Sequence, residues 1–404
     1  MTLTNHKSYS RLLTLLKGVA GVGLLLLAML LPDYYIFSSY LLQLHSLTIN
    51  ILWWLPTAIA ISAFLAAQLG IYHNTMFRAF FGICMLFATP KLVFTLFSIP
   101  LGCVVGCIAA LAILLLLAYG VVYGWRRVVV RTSECRSNML PTAFEGYRIL
   151  QLSDVHIGTF LRNPKFISHL VDVINEQKPD LVAFTGDMVN VDVSELLPFT
   201  SVLSKIKAAD GVFSVMGNHD YCEYAQNAMQ RVHGRSEIHC QRSQRMLVYL
   251  QQKMGWRVLM NENVRISRGS DSIAVIGVEN IGKPPFKSFG NLGEAMKGLP
   301  DGMFKVLLSH DPTHWRMGVL HKTDIALTLS GHTHAGQVKI GRFSPAKWAY
   351  NEWGGKYTEG NAMLYVSIGI GGTMPFRFGA WPEINVITLE KEQTPKQNNN
   401  VRLC

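Results

Sequence analysis

The first 124 residues hold one acidic side chain, Asp33, and five basic ones, Lys7, Arg11, Lys17, Arg78 and Lys91. Nearly all of the chain's 37 Lys/Arg and 26 Asp/Glu lie beyond them. So little charge over so long a stretch is incompatible with a water-soluble domain. Within it Leu12–Leu31, Ile51–Tyr72 and Leu101–Tyr123 are each long enough to cross a bilayer as a helix, which takes about 20 apolar residues. A fourth stretch, Ala79–Ile99, is interrupted by Pro90 and Lys91, and a charge at that depth is costly unless it snorkels or finds a partner. A cleaved signal peptide does not account for apolar segments that continue for about a hundred residues.

Positive charge decides between three crossings and four. Lys7 and Arg11 precede the first segment, Lys17 lies in its opening turns and can snorkel to the same side, Asp33 follows it, and Arg126, Arg127 and Arg131 follow the last. An even number of crossings puts both basic flanks on one side, the cytoplasmic one. The expected organisation is a four-span bundle over residues 1–124, a basic connector over 125–144, a catalytic domain over 145–390 and a disordered polar tail over 391–404. The expected location is the cell (inner) membrane, with the domain in the cytoplasm.

Seven cysteines without a C-x-x-C pair suit a reducing compartment rather than a disulfide framework. The net charge of +11 fits an anionic membrane surface, given how many cations lie beside the apolar region, and no stable nucleic-acid partner is expected.

The polar part alternates in type. Ile149–Leu152 reads as a buried strand, Phe166–Gln177 as an amphipathic helix, Asp180–Asp187 as a strand, Ser194–Ala208 as a helix and Gly211–Asp220 as another strand and turn. Such alternation argues a layered α/β domain. Polar residues then recur at one structural position, just past the strands. These are Asp154 and His156, Asp187, Asn218 and His219, His310 in KVLLSHDP, and His332 and His334 in LSGHTHAGQV. Ligand sites in α/β sheets gather outside the carboxyl ends of strands. Each residue alone has a dull explanation as a cap or a turn; five strands repeating the pattern favour a metal site. Asp154, His156, Asp187, Asn218, His310, His332 and His334 are too many for one tetrahedral ion and suit two that share a carboxylate. Mixed Asp, Asn and His donors without thiolate favour manganese, iron or zinc over calcium.

The blocks SDVHIG, TGDMV, MGNHD, LLSHDP and SGHTHAG, in this order, resemble the calcineurin-like metallophosphoesterase superfamily over residues 145–390. The tail Leu364–Leu389 is similar to the membrane-attached, YkuE-like branch. Ala335 departs from the glycine that many such sequences carry. The resemblance implies a double β-sheet sandwich flanked by helices and hydrolysis of a phosphoester or pyrophosphate by a metal-bridging hydroxide. It assigns Asp154, His156 and His334 to one ion, Asn218, His310 and His332 to the other, and Asp187 to both. It also implies that His219 stabilises the phosphoryl oxygens or protonates the leaving group, with Asp220 orienting it.

Other features read more plainly. His314 is expected on the surface near the site, and Trp348, Trp353 and Trp381 in the core or at a membrane interface. Gly369–Gly372 permits close backbone approach rather than nucleotide binding. Basic residues over 226–253 form a solvated helical excursion or a lid for anionic head groups. A membrane-bound domain points to an amphiphilic or lipid-linked phosphoester, with a UDP-diacylglucosamine-type pyrophosphate as a specific alternative. A nuclease, a non-catalytic binding domain, and a transporter or sensor built on the bundle are the competing readings. Intact candidate ligands and the lack of paired intramembrane acids weigh against the last two.

Overall fold

A computed structural model describes residues 21–68, 74–222, 235–284 and 286–392. Lys7, Arg11, Lys17, Arg231, His233 and the tail from 393 lie outside the described residues. The chain divides into two compact units, one running to Gly120 and one beginning at Val121.

Four helices, Gly21–Leu44, Leu47–Ala66 and Arg78–Leu101 within the first unit and Cys103–Arg126 beginning in it, are long and apolar enough to cross a membrane. Two details differ from expectation. Asp33 lies inside the first helix rather than in a loop, fully buried, where it accepts hydrogen bonds from Lys91 Nζ at 2.6 Å and from Thr57 Oγ1. The Lys91 ammonium also sits 4.0 Å from the Trp53 ring centroid. The cation that argued against a third span is therefore paired, which removes most of the cost of burying it. Pro90 does not break that span either. A widened turn, Cys84–Ala88, directly precedes it and absorbs the hydrogen bond and the space that a proline ring takes from a regular helix.

The second unit is two six-stranded mixed sheets packed face to face. The first runs β1 (Val129–Ser137), β12 (Glu383–Lys391), β2 (Arg148–Leu152), β3 (Leu181–Phe184), β4 (Val212–Ser214), β5 (Trp256–Val258). The second runs β10 (Gly355–Glu359), β11 (Ala362–Val366), β9 (Leu327–Ser330), β8 (Lys305–Leu308), β7 (Asp271–Gly277), β6 (Glu262–Arg268).

Strand side chains alternate between faces, and the central strands β2, β3, β4, β8 and β9 are buried on both. Ile149, Leu181, Ala183 and Phe213 of one sheet meet Val306, Leu308, Leu327 and Leu329 of the other in a shared core. The alternate residues Leu150, Leu152, Val182 and Phe184 turn outward onto the helix Pro164–Glu176, whose Phe166, Ile167, Leu170, Val171 and Ile174 are buried. Leu307, Leu364 and Val366 pack against Trp315 and Val319 outside the second sheet.

The helix expected over Ser194–Ala208 breaks into the short turns Val193–Glu195, Leu197–Phe199 and Thr200–Leu203. Pro198, which has no amide to donate, stands where a continuous helix would need one. The described part of the basic segment is the helix Arg235–Lys253.

Strands β2, β3 and β4 are mutually parallel, as are β7, β8 and β9, so each sheet brings several carboxyl ends to one edge. Beneath that edge Gln151 Nε2 donates to Ser330 O of the facing sheet at 2.8 Å and to Thr185 Oγ1 at 3.1 Å. This buried polar link fixes the register of the two sheets just below the functional residues.

Candidate metal centre

Asp154 and His156 follow β2, Asp187 follows β3, Asn218 and His219 follow β4, His310 follows β8, and His332 and His334 follow β9. Ligand atoms of Asp154, His156, Asp187 and His334 all lie within 4.8 Å of one another, as do those of Asp187, His310 and His332. Asn218 joins the second group through Oδ1, 3.1 Å from His310 Nε2. All seven residues expected to hold metal thus converge, and Asp187 belongs to both groups.

The two oxygens of Asp187 are used differently. Oδ1 accepts the backbone amide of His219 at 2.9 Å. Oδ2 faces His156 Nε2 at 3.5 Å and His310 Nε2 at 3.2 Å. One oxygen is spent on the turn, and the other looks at both histidine groups.

The backbone is forced to make this possible. Asp154 (φ 50°), His156 (46°), Asp187 (59°), His332 (74°) and His334 (49°) all occupy the left-handed region. Non-glycine residues rarely sit there, and clusters of such conformations mark functional sites. Glycine clears the way at neighbouring positions. A Cβ on Gly217 would stand 2.2 Å from Asp187 Oδ1, and one on Gly331 would stand 2.2 Å from Asp154 Oδ2. In the Gly369–Gly372 run, a Cβ on Gly369 would meet Asp154 Cβ at 2.6 Å, and one on Gly371 would meet Val155 O at 2.0 Å.

Hydrogen bonds orient the rings. His310 Nδ1 is 2.8 Å from Thr185 O, and His332 Nε2 is 2.8 Å from the Tyr350 hydroxyl. The His332 amide donates to both Asp154 oxygens at 3.0 Å. Asp220 accepts four backbone amides, from Asp187 (2.9 Å), Met188 (2.8 Å), Val189 (3.2 Å) and Gly217 (2.9 Å), and so ties the β3 turn to the β4 turn. The orienting role expected of Asp220 toward the His219 ring is filled instead by the Asn190 carbonyl, 2.6 Å from His219 Nδ1.

Charge is distributed unevenly. Burial holds His156 down to about 3, and burial with the His310 charge holds His332 down to about 4. Burial also holds His334 well below the usual imidazole range. His310 goes the other way: burial opposes its charge, but Asp187 raises it to about 10. Burial lifts Asp154 to about 6, and burial plus the Asp187 charge lift Asp220 to about 7 while the Gly217 and Val189 amides pull downward. Without metal, an imidazolium at His310 stands where a cation's charge belongs. Neutral imidazoles are the ligand form. Three buried neutral histidines with two carboxylates and an amide oxygen therefore fit divalent transition ions.

The cluster opens into a pocket of about 230 Å³, lined also by His219, Phe286, Gln337, Tyr350, Gly372 and Thr373. Tyr350 and Phe286 escaped sequence reasoning, as did Arg377, a fully buried guanidinium with Nη2 3.4 Å from His334 Nδ1. No periodicity marks them, since each lies on an irregular segment far along the chain from its partner. His314 is not on the surface: it is buried, with Nδ1 2.9 Å from Ser309 Oγ, and burial holds it down to about 4. Of the tryptophans, Trp348 is 81% exposed.

Residues 147–336 match the calcineurin-like phosphoesterase family. The metallophosphoesterase YkuE of Bacillus subtilis is 31% identical over 290 residues, 66% of this chain and 90% of that one. The "transmembrane protein with metallophosphoesterase domain" of Danio rerio is 30% identical over 238 residues, 57% of this chain and 50% of that one. Its Bos taurus namesake is 28% identical over 273 residues, 65% and 57% of the two chains. This chain therefore spans little more than half the length of the two animal relatives.

Proposed function

We propose that this chain, which belongs to the calcineurin-like phosphoesterase family and is a metal-dependent phosphoric ester hydrolase, is a membrane-anchored enzyme acting on an amphiphilic or lipid-linked phosphoester or pyrophosphate. The observation that carries the metal reading is Asp187 Oδ2, facing a histidine of each group at 3.5 and 3.2 Å. In this reading Asp154, His156 and His334 hold one divalent ion, Asn218, His310 and His332 hold the second, and Asp187 is shared. Bound there, two such ions supply Lewis acidity at phosphorus and acidify a water.

The chain's own groups do the rest. Asp220 fixes the turns that carry Asp187 and Asn218. His219 Nδ1 donates to the Asn190 carbonyl, which leaves Nε2 as the atom that takes or gives a proton. The ring lines the pocket, where it would meet phosphoryl oxygens or the departing alkoxide.

The amphiphilic substrate rests on the segment between His334 and Tyr350. It presents Ile340 (58% exposed), Phe343 (44%) and Trp348 (81%) to solvent, with the exposed cations Arg342 and Lys347 among them. Phe343 and Trp348 pack edge to face at 5.7 Å. Aromatic rings beside cations suit the boundary between acyl chains and anionic head groups. The same segment ends at Tyr350, against His332.

Burying a large apolar side chain contributes about 1.5–3 kcal/mol. Trp348→Ala with Phe343→Ala should therefore lower turnover of a lipid phosphoester in mixed micelles by about tenfold or more, while a soluble nitrophenyl phosphodiester is cleaved as before. Equal effects on the two substrates would remove the amphiphilic reading and leave the hydrolase standing.

Four crossings and the basic flank Arg126, Arg127 and Arg131 support a cytoplasmic catalytic unit. A fluorescent reporter that matures only in the cytoplasm, fused after Cys404, should be bright. Activity from an export-dependent phosphatase fused at the same point would reverse the orientation and favour finished envelope lipids as substrates.

A further inference from the structure

A second cluster of soft and hard donors lies beside the catalytic turn. We propose that Asp192, Cys222 and His239 form a separate zinc-type metal site. Ligand atoms of the three lie within 4.8 Å of one another. They come from three stretches of chain: the loop leaving β3, the residue directly after the turn Asn218–Tyr221, and the second turn of the helix Arg235–Lys253.

Asp192 Oδ1 is engaged by the Ser194 amide at 2.9 Å, so Oδ2 is the oxygen presented to His239 Nε2, 3.2 Å away. The Cys222 thiol is buried, and Cys240 lies against that residue, its Sγ 3.2 Å from the Cys222 carbonyl. Cys222 is in no disulfide. Cys222 has φ 61°, the left-handed conformation also adopted by five of the candidate ligands of the dinuclear cluster.

One sulfur, one imidazole and one carboxylate make a donor set that favours zinc, with a water to complete the tetrahedron. None of the three residues belongs to the cluster around Asp187. An ion here would pin the helix Arg235–Lys253 to the loop that follows Asp187 and to the end of the turn carrying His219. It would act by holding these elements together and would not touch substrate.

Cobalt(II) reports on the site because thiolate ligation gives a near-ultraviolet sulfur-to-metal charge-transfer band, which oxygen and nitrogen ligands cannot give. Metal-free, reduced full-length protein in detergent, titrated with cobalt, should take up three equivalents, one of them with that band. Cys222→Ser should abolish the band and leave two equivalents. His239→Gln, at a side chain 57% exposed and so no risk to folding, should weaken the sulfur-ligated equivalent by roughly tenfold or more, at least the loss caused by removing a supporting partner. Asp187→Asn should disturb the other two equivalents and spare the band, which separates failure of the dinuclear reading from failure of this one. A titration ending at two equivalents with no band, or a band that survives Cys222→Ser, would overturn the site. So would a Cys222–Cys240 disulfide in the protein purified without reductant.

Discussion

Asp187→Asn should empty both positions of the dinuclear centre and lower turnover by roughly 10³-fold, the several kcal/mol of charge stabilisation that bound cations supply. The variant is chosen because an amide oxygen at Oδ1 still accepts the His219 amide, so the β4 turn keeps its anchor. What disappears is the negative charge at Oδ2, which faces His156 and His310. Metal content by elemental analysis and turnover on a nitrophenyl ester should fall together.

The same carboxylate sets a pH dependence in the wild type. His310 without metal titrates at about 10, raised by Asp187 against the effect of burial. Through neutral pH the metal-free site therefore holds a proton that a cation must displace. Apparent metal affinity should rise about tenfold per pH unit for that one proton, and flatten above the His310 value. In Asp187→Asn the charge that retains this proton is gone, so the residual affinity should rise less steeply. Full metal occupancy with wild-type turnover in the variant would refute a shared carboxylate.

Much of this centre is legible in the sequence because its residues obey a local rule. Parallel strands deliver whatever follows them to one edge, and each candidate ligand comes within a few residues of a strand that is apolar on both faces. The layered α/β character is visible for the same reason, since Ile149–Leu152 and Asp180–Asp187 are runs too apolar for a one-sided sheet, whereas the second sheet is implied only by the family resemblance. Contacts between distant irregular segments leave no such trace. Tyr350 reaches His332 and Arg377 reaches His334 through loops whose paths depend on glycines and left-handed residues, and neither has a period.

Two expectations fail for a related reason. Asp33 and Lys91 are unremarkable apart in the sequence, and only helix packing shows that each is the partner the other needs. Asp220 stands next to His219, which invites a direct role. Its carboxylate instead turns back to four amides, because the two turns leave those donors buried and unsatisfied otherwise. Adjacency in sequence misled, where a count of buried donors would not have.

His219→Ala should lower turnover by roughly 10²–10⁴-fold, the range for a positioned acid or base, with metal content unchanged. Metal should stay because His219 contacts Asp187 through its backbone amide, which the alanine retains. The lost ring is the one whose Nδ1 is held at 2.6 Å by the Asn190 carbonyl. That carbonyl, an acceptor only, keeps the Nδ1 proton in place and fixes the plane of the ring. A ring so held is built to donate from Nε2. If that proton goes to the leaving oxygen, the deficit should be largest for alkyl esters, whose alkoxides are poor leaving groups. It should shrink for nitrophenyl esters, which depart without protonation. The decisive measurement is turnover of the variant across a series of phosphoesters graded in leaving-group pKa. A slope steeper than wild type assigns His219 to proton transfer. Parallel slopes with a constant deficit would instead assign it to the charge on the phosphoryl oxygens, and loss of metal in the variant would reject both roles.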